Sequence, residues 1–362
     1  MVFIYLSVFL SLILIFLLIV VDKHTKPIHL HQDNLPLISV LIAARNEEKN
    51  IRACLNALLN QNYPKDKIEI LIGDDQSDDK TALYIKEFVQ KHDIFNYFLI
   101  PESTTQAKGK ANVLASLAKK ASGVFFLITD ADIQVNPSWC INMTSLAIKN
   151  KIDILTGVTH INKKTFFDAL QNIDWIYSLG LMKSVSDLGI PLTSMGNNML
   201  ITKEFYFKTG GYEKIPFSVT EDLALFQAVI KIGGTFYNDF TERTLVKSKA
   251  VPNFKSLLEQ RKRWMKGCFD TPWFMIILLV LQAFFYPLFL FFLFLNPIST
   301  IVFGTVKYLT QLFFINFFLK KINHKVKVKE LLLYEVYSAI LSSILLLYFF
   351  LPTGVVWKGR KY

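Results

Sequence analysis

The stretch from residue 38 to residue 78 reads ISVLIAARNEEKNIRACLNALLNQNYPKDKIEILIGDDQSD. Leu37–Ala43 is a short apolar run, the pattern of a strand buried on both faces. Glu47–Leu59 carries Ile51, Leu55, Leu58 and Leu59 at helical spacing. Ile68–Ile72 is a second short strand that runs into Asp74-Asp75. Further along, Thr81–Lys91 reads as helix, Tyr97–Ile100 as strand, Ala111–Lys120 as helix and Val124–Ile128 as strand. Strands alternating with helices imply βαβ units and a mostly parallel, two-sided sheet. The expected fold class is α/β, with this domain over residues 37–250.

Both flanks are apolar. Val2–Val21 is uncharged and long enough to span a bilayer, which takes about 20 residues. It lacks the basic start and small-residue cleavage site of a secretory leader, so it reads as an anchor (1–22), joined to the domain by a polar linker (23–36). Lys23 and Lys26 follow it, which puts the downstream side in the cytoplasm. After residue 250, Phe254–Gly267 mixes Arg261, Lys262, Arg263 and Lys266 with Leu257, Leu258, Trp264 and Met265. That pattern predicts an amphipathic helix at the membrane surface within residues 251–271. Three apolar segments follow within 272–352: Trp273–Leu295, Ile298–Leu319 and Leu331–Leu351. Lys307 and Glu335 interrupt the second and third, and a basic tail (353–362) closes the chain. If Leu331–Leu351 dips and returns without crossing, that tail stays cytoplasmic, and this is the expected topology.

Of 362 residues 52% are hydrophobic and 19% charged, against about 25% charged in an ordinary soluble domain, which excludes disorder. The net charge of +11 gathers beside the apolar runs, as in Lys320–Lys329, which favours a membrane surface over nucleic acid. Cys54, Cys140 and Cys268 show no CxxC spacing, so neither a disulfide framework nor a zinc site is expected.

Four places carry chemistry. Asp74-Asp75 ends the second strand, where open α/β sheets bind ligands, or forms a solvated turn with a helix cap. Asp130-Ala131-Asp132 leaves a buried strand with two carboxylates that can approach one hard divalent cation, or is a polar turn. Thr220-Glu221-Asp222 opens a helix, which alone reads as a capping sequence and otherwise supplies a general base. Gln260-Arg261-Lys262-Arg263-Trp264 offers an arginine fork and a stacking ring, or plain surface anchoring. Lys108-Gly109-Lys110 precedes a helix and can reach a phosphate, or is simply a basic loop; GxxxxGK[ST] is absent, as are GxGxxG, GxSxG and HExxH.

The order of these pieces resembles the membrane-anchored family 2 glycosyltransferases. It runs ISVLIAARNEE (38–48), Asp74-Asp75, DAD (130–132), Gly210-Gly211-Tyr212 with TED (220–222), QRKRW (260–264) and WKGR (357–360). The family's DDGSxD has Gln76 in place of glycine here. The resemblance implies a GT-A nucleotide-sugar-binding domain with membrane helices at both ends, similar to ceramide glucosyltransferase-like and cellulose synthase-like enzymes. It further implies donor contacts at Ala43, Arg45, Glu47, Asp74, Asp75, Lys108, Asp130, Gln260, Arg263 and Trp264. Asp130 and Asp132 would hold Mg²⁺ or Mn²⁺. Asp222 would be the base, with Glu221 the next candidate. The implied reaction is inverting transfer from a nucleotide sugar, a UDP-sugar foremost, to a membrane lipid at the cytoplasmic face of a bacterial inner (plasma) membrane. The alternatives are a processive polysaccharide synthase with a glycan acceptor, and a non-catalytic nucleotide-sugar-binding membrane protein. No nucleic-acid partner is expected.

Overall fold

A computed structural model describes residues 1–21, 35–268 and 271–351, with the backbone of 356, 357, 360 and 361. The expected linker (23–36), apart from its last two residues, and the side chains of the tail (353–362) lie outside the described residues. In chain order α1 (Val2–Val20) precedes β1 (Ile38–Ala44), α2 (Ile51–Leu59), β2 (Ile68–Asp74), α3 (Thr81–Val89), β3 (Phe95–Leu99), α4 (Lys110–Ala118) and β4 (Phe125–Asp130). There follow β5 (Gln134–Val135), α5 (Trp139–Asn150), β6 (Ile154–Thr156), β7 (Thr159–Asn162) and α6 (Phe166–Asp187). Next come β8 (Asn198–Thr202), α7 (Lys203–Lys208), α8 (Gly211–Lys214), α9 (Glu221–Lys231), β9 (Phe236–Asn238) and β10 (Val246–Lys249). The last helices are α10 (Phe254–Cys268), α11 (Trp273–Leu295), α12 (Pro297–Lys321) and α13 (Val328–Phe350).

These elements form two compact units. The α/β unit comprises His24–His160 and Thr193–Lys249. The helical unit comprises Met1–Lys23, Ile161–Leu192 and Ala250–Tyr362. The sequence pattern puts residues 161–192 inside one continuous domain over 37–250. Their contacts instead put α6 in the helical unit, packed against α12 and α13. Gly180 makes room there: a Cβ would meet the Phe318 ring at 2.7 Å.

The α/β unit is built on a sheet of order β3-β2-β1-β4-β8-β6-β9. β3, β2, β1 and β4 pair in parallel, β8 runs against both β4 and β6, and β9 is parallel to β6. The sheet is mostly parallel because crossover helices join its first strands. β1 is apolar except for Ser39 because both faces are covered, and the Ser39 hydroxyl is satisfied by Glu69 and the Gly123 amide. Val40 and Ile42 point to the side of Leu55, Leu58, Ile85 and Trp139, while Leu41 points to Val113, Leu117 and Phe226. Each such side chain contributes about 1.5–3 kcal/mol when buried. α2 begins at Ile51 and not at Glu47. Asn46 adopts a left-handed φ of 52°, and the Glu47 carbonyl accepts from Asn50 and Ile51, so the chain turns before it coils.

Among the described residues of the helical unit, four helices are long and apolar enough to cross a membrane: α1, α11, α12 and α13. Within α1 the hydroxyls of Ser7 and Ser11 donate back to the carbonyls of Phe3 and Ser7, each at 2.8 Å, which satisfies them inside an apolar helix. Phe3 packs on Phe285 with ring centres 5.3 Å apart. A dip and return of 331–351 would need a break in the helix, and the backbone of Val328–Phe350 shows none. α13 is one unbroken helix of 23 residues without Pro or Gly, about 35 Å at the standard rise, against a hydrocarbon core of about 30 Å. Lys307 and Glu335 are tolerated because they face each other at 3.0 Å.

Candidate active site

The carboxyl ends of β1, β2 and β4 lie side by side. The register pairs Ala44 with Asp74 and Ala43 with Asp130, so three loops open at one edge of the sheet. Asp74 and Asp75 are 1% and 5% exposed, so the solvated-turn reading is wrong for them. Asp74 Oδ1 accepts from the amide and the hydroxyl of Ser77, and Oδ2 accepts the Tyr97 hydroxyl at 3.0 Å. Burial and the Asp74 charge together push the Tyr97 phenol up to about 12. Asp74 thus holds the loop, and Asp75 is paired with Arg45: Nη1 donates to the Asp75 carbonyl and lies 3.8 Å from its Oδ2. Glu47 is buried, with its amide bonded to the Thr81 hydroxyl and its carboxylate accepting from Asn50. Gln76 stands where the resembling motif has glycine, and its φ is +57°, in the left-handed region.

The second group joins three elements. Lys110, at the start of α4, lies 2.6 Å from Asp130 Oδ1 at the end of β4 and 2.9 Å from Glu221 Oε1 at the start of α9. Asp222 Oδ2 accepts from the Gly196 amide at 2.7 Å and Oδ1 from its neighbour Leu223 at 2.9 Å. Thr220 is the N-cap residue of α9 with Glu221 and Asp222 in the first turn, as the capping reading has it, but the Thr220 side chain makes no cap bond. Burial and the adjacent Glu221 raise Asp222 to about 6, with Lys110 and the two amides pulling the other way. Burial alone would lower the Lys110 pKa, and the carboxylates of Asp130, Glu221 and Asp222 outweigh it and raise it.

Among the described residues no group of three His, Cys, Asp or Glu side chains could hold a metal by itself. The donor chemistry still fits a divalent cation shared with a substrate. Two carboxylates suit an ion that takes its remaining ligands from water and phosphate. The charge around Cys54 shows the excess. Its buried thiol is raised by burial first, then by Asp132, Asp130 and Glu47 together.

Lys108 is exposed and lies 5.8 Å from the Phe217 ring centre, outside the carboxylate group. Gln260, Arg263 and Trp264 sit on α10 in the helical unit, where the Trp264 ring packs against Trp175 at 4.8 Å. Sequence reasoning named Lys110 only as a possible phosphate contact, not as the partner of these carboxylates, and it missed Gly196. Lys110 had a signal: a lysine in the first turn of a helix opposes the helix dipole and needs a reason to be there. Gly196 had none. A Cβ there would meet Asp222 Cβ at 2.9 Å and Lys110 Nζ at 3.3 Å, a closeness only the folded chain reveals.

Residues 39–208 match the family described as Glycosyl transferase family 2, and residues 125–356 match Glycosyl transferase family group 2. The probable glycosyltransferase YdaM of Bacillus subtilis is 29% identical over 64% of this chain and 55% of its own length. The poly-beta-1,6-N-acetyl-D-glucosamine synthase of Staphylococcus epidermidis is 29% identical over 64% of this chain and 54% of its own. The beta-monoglucosyldiacylglycerol synthase of Trichormus variabilis is 26% identical over 65% and 50%. The chain thus spans about half the length of the curated relatives it matches. The mannosyltransferase PcManGT of Pyrobaculum calidifontis, solved with GDP-Man and Mn²⁺, superposes with a TM-score of 0.56 at 15% identity, over 96% of this chain and 97% of that one. That likeness confirms the GT-A fold. The second family match alone covers more than half of the 362 residues, and the chain belongs to the family 2 glycosyltransferases.

Proposed function

We propose that this enzyme transfers a sugar, with inversion, from a nucleotide-sugar donor to a membrane lipid at the cytoplasmic face of a bacterial plasma membrane. One observation carries the mechanism: Asp222 is a carboxylate raised to about 6, held by two amides beside an ion-paired lysine. It is the single base for the acceptor hydroxyl, tuned near working pH. One base and one displacement at the anomeric carbon invert the centre. Asp75 and Arg45 border the nucleotide side, and Asp130 and Asp132 would hold Mg²⁺ or Mn²⁺ beside the diphosphate. That ion supplies charge neutralisation for the departing nucleoside diphosphate. Lys110 keeps Asp130 and Glu221 in place and stops three carboxylates from repelling one another. Gln260, Arg263 and Trp264 are assigned to the diphosphate and the acceptor.

The lipid acceptor is supported by the glucosyldiacylglycerol synthase relative, and by the helical unit itself. Its polar side chains Lys307, Gln311, Glu335 and Tyr286 bond one another, which supports a packing role for them over the lining of a polymer path. The polysaccharide synthase relative keeps the glycan reading as the rival. Product analysis decides between them: purified chain in detergent, a panel of UDP- and GDP-sugars, a membrane lipid extract, and mass spectrometry. A singly glycosylated lipid is the expected product. A polymer ladder without it would overturn the lipid reading.

A further inference from the structure

Asp174 of α6 receives two helices at once. Its Oδ2 lies 2.6 Å from Arg261 Nη2 on α10, and its Oδ1 accepts the Tyr334 hydroxyl of α13 at 3.1 Å. The Arg261 and Asp174 side chains are only 10% and 17% exposed, so the pair is shielded from water and salt. Arg261 is not a free cation on a surface helix. Its guanidinium carbon sits 4.2 Å from the Trp264 ring centre and 5.8 Å from that of Trp175. Those two indoles meet edge to face, 4.8 Å apart with planes at 65°. Trp264 is therefore held from one side by the cation and from another by a ring whose own helix carries Asp174. Trp175 is 7% exposed and cannot swing away without opening the packing.

We propose that Asp174 is the positioning residue of the QRKRW segment. Its carboxylate fixes Arg261 against Tyr334, and Arg261 with Trp175 fixes the plane of Trp264. Plain surface anchoring needs none of this, because anchoring asks for an apolar face and outward charges. A shielded carboxylate on a neighbouring helix serves orientation instead, since one oxygen takes Nη2 of Arg261 while the other takes the Tyr334 hydroxyl, which ties α10 and α13 to a single point on α6. The inference rests on the proposed role of Arg263 and Trp264 in the reaction.

The experiment uses the full chain in detergent or nanodiscs. Asp174→Asn keeps volume and removes the charge, and Asp174→Glu keeps the charge on a longer arm. Exciton coupling of the Trp175–Trp264 pair in circular dichroism reports the indole geometry without any substrate. The expected result for Asp174→Asn is loss of that signal with a fall in kcat of roughly ten- to a hundredfold, the cost of misplacing a positioned group. The donor KM and the melting temperature should move little, and Asp174→Glu should recover part of both signal and turnover. An Asp174→Asn variant with the wild-type indole signal and wild-type turnover would overturn the proposal. So would a loss of turnover that tracks unfolding while the indole signal persists. Arg263→Lys separates the two readings. If it is active, the reaction does not use the QRKRW fork, and the indole signal alone judges the clamp. If it is inactive while Asp174→Asn turns over normally, the reading stands and the clamp falls.

Discussion

Lys110 in the α/β unit and Lys307 among the apolar helices both bury an ammonium against carboxylates, but in different proportion. Lys307 is fully buried and meets one carboxylate, Glu335, at 3.0 Å. Gln311 completes the set, accepting from Lys307 at 2.7 Å and donating to the other Glu335 oxygen at 2.8 Å, and Tyr286 donates to Glu335 Oε1 at 3.0 Å. Charge is balanced one to one. Lys110 contacts Asp130 and Glu221, and its charge also acts on Asp222. With Asp132 nearby the acids outnumber the cation, and Asp130 keeps 35% of its side chain exposed. A balanced pair staples helices together, whereas an unbalanced one at a strand end keeps negative charge for something that arrives.

The largest effect should come from the excess acids. Asp132→Ala should abolish turnover, and EDTA should do the same to the wild-type chain. Full activity in EDTA would remove the metal from the scheme. Next, Asp222→Asn should cut kcat by about 10²–10⁴ while donor affinity changes little. If most of the turnover survives, the base lies elsewhere and Glu221 is tested next. The pH profile sharpens the same point. Asp222 must be ionised to act, so kcat/KM should fall as pH drops through about 6. Lys110→Met removes a charge that lowers the Asp222 pKa, so it should move this limb to higher pH. A limb that stays put would uncouple the two residues.

The balanced pair should respond in stability alone. Lys307→Met should cost about 3–5 kcal/mol in unfolding measured in detergent, because it strands Glu335. Adding Glu335→Leu should recover most of that, with turnover unchanged throughout. A double variant no better than the single one would mean the pair does more than staple. The smallest effect is expected at the rim of the acidic site. Gln76→Gly should stabilise by about 0.5–1 kcal/mol, as relief of a left-handed φ outweighs the extra chain entropy of glycine. Destabilisation would show that the Gln76 side chain has a role the backbone conformation hides.

The sheet was legible because β1, β2 and β4 are buried on both faces and so are mostly apolar. The carboxylates were legible because strand ends are where α/β sheets bind. What the sequence hid is what depends on tertiary approach. Asp74 and Asp75 look like a wet turn until Tyr97 and Arg45 close over them. Gly196 becomes a donor to Asp222 only through a contact across 26 residues. α6 was not separable from the domain around it, because its apolar spacing would serve equally well against a sheet. Its choice of α12 and α13 follows from close approach at Gly180 and from Asp174, which no local pattern reports.

The detour through α6 sets a timetable for the growing chain. β8 lies between β4 and β6 in the finished sheet, yet it is made about 40 residues after β7 ends. Until then β4 has one bare edge and β6 has two, and unpaired edges recruit other chains. At about 5–20 residues per second the ribosome needs roughly 2–8 s to close that interval. During those seconds α6 must be sheltered apart from the strands on either side of it, so the half-built sheet waits on an apolar helix that is not its own. A nascent chain of this design should lean on holding chaperones while residues 163–197 emerge, before β8 can pair with β4 and β6.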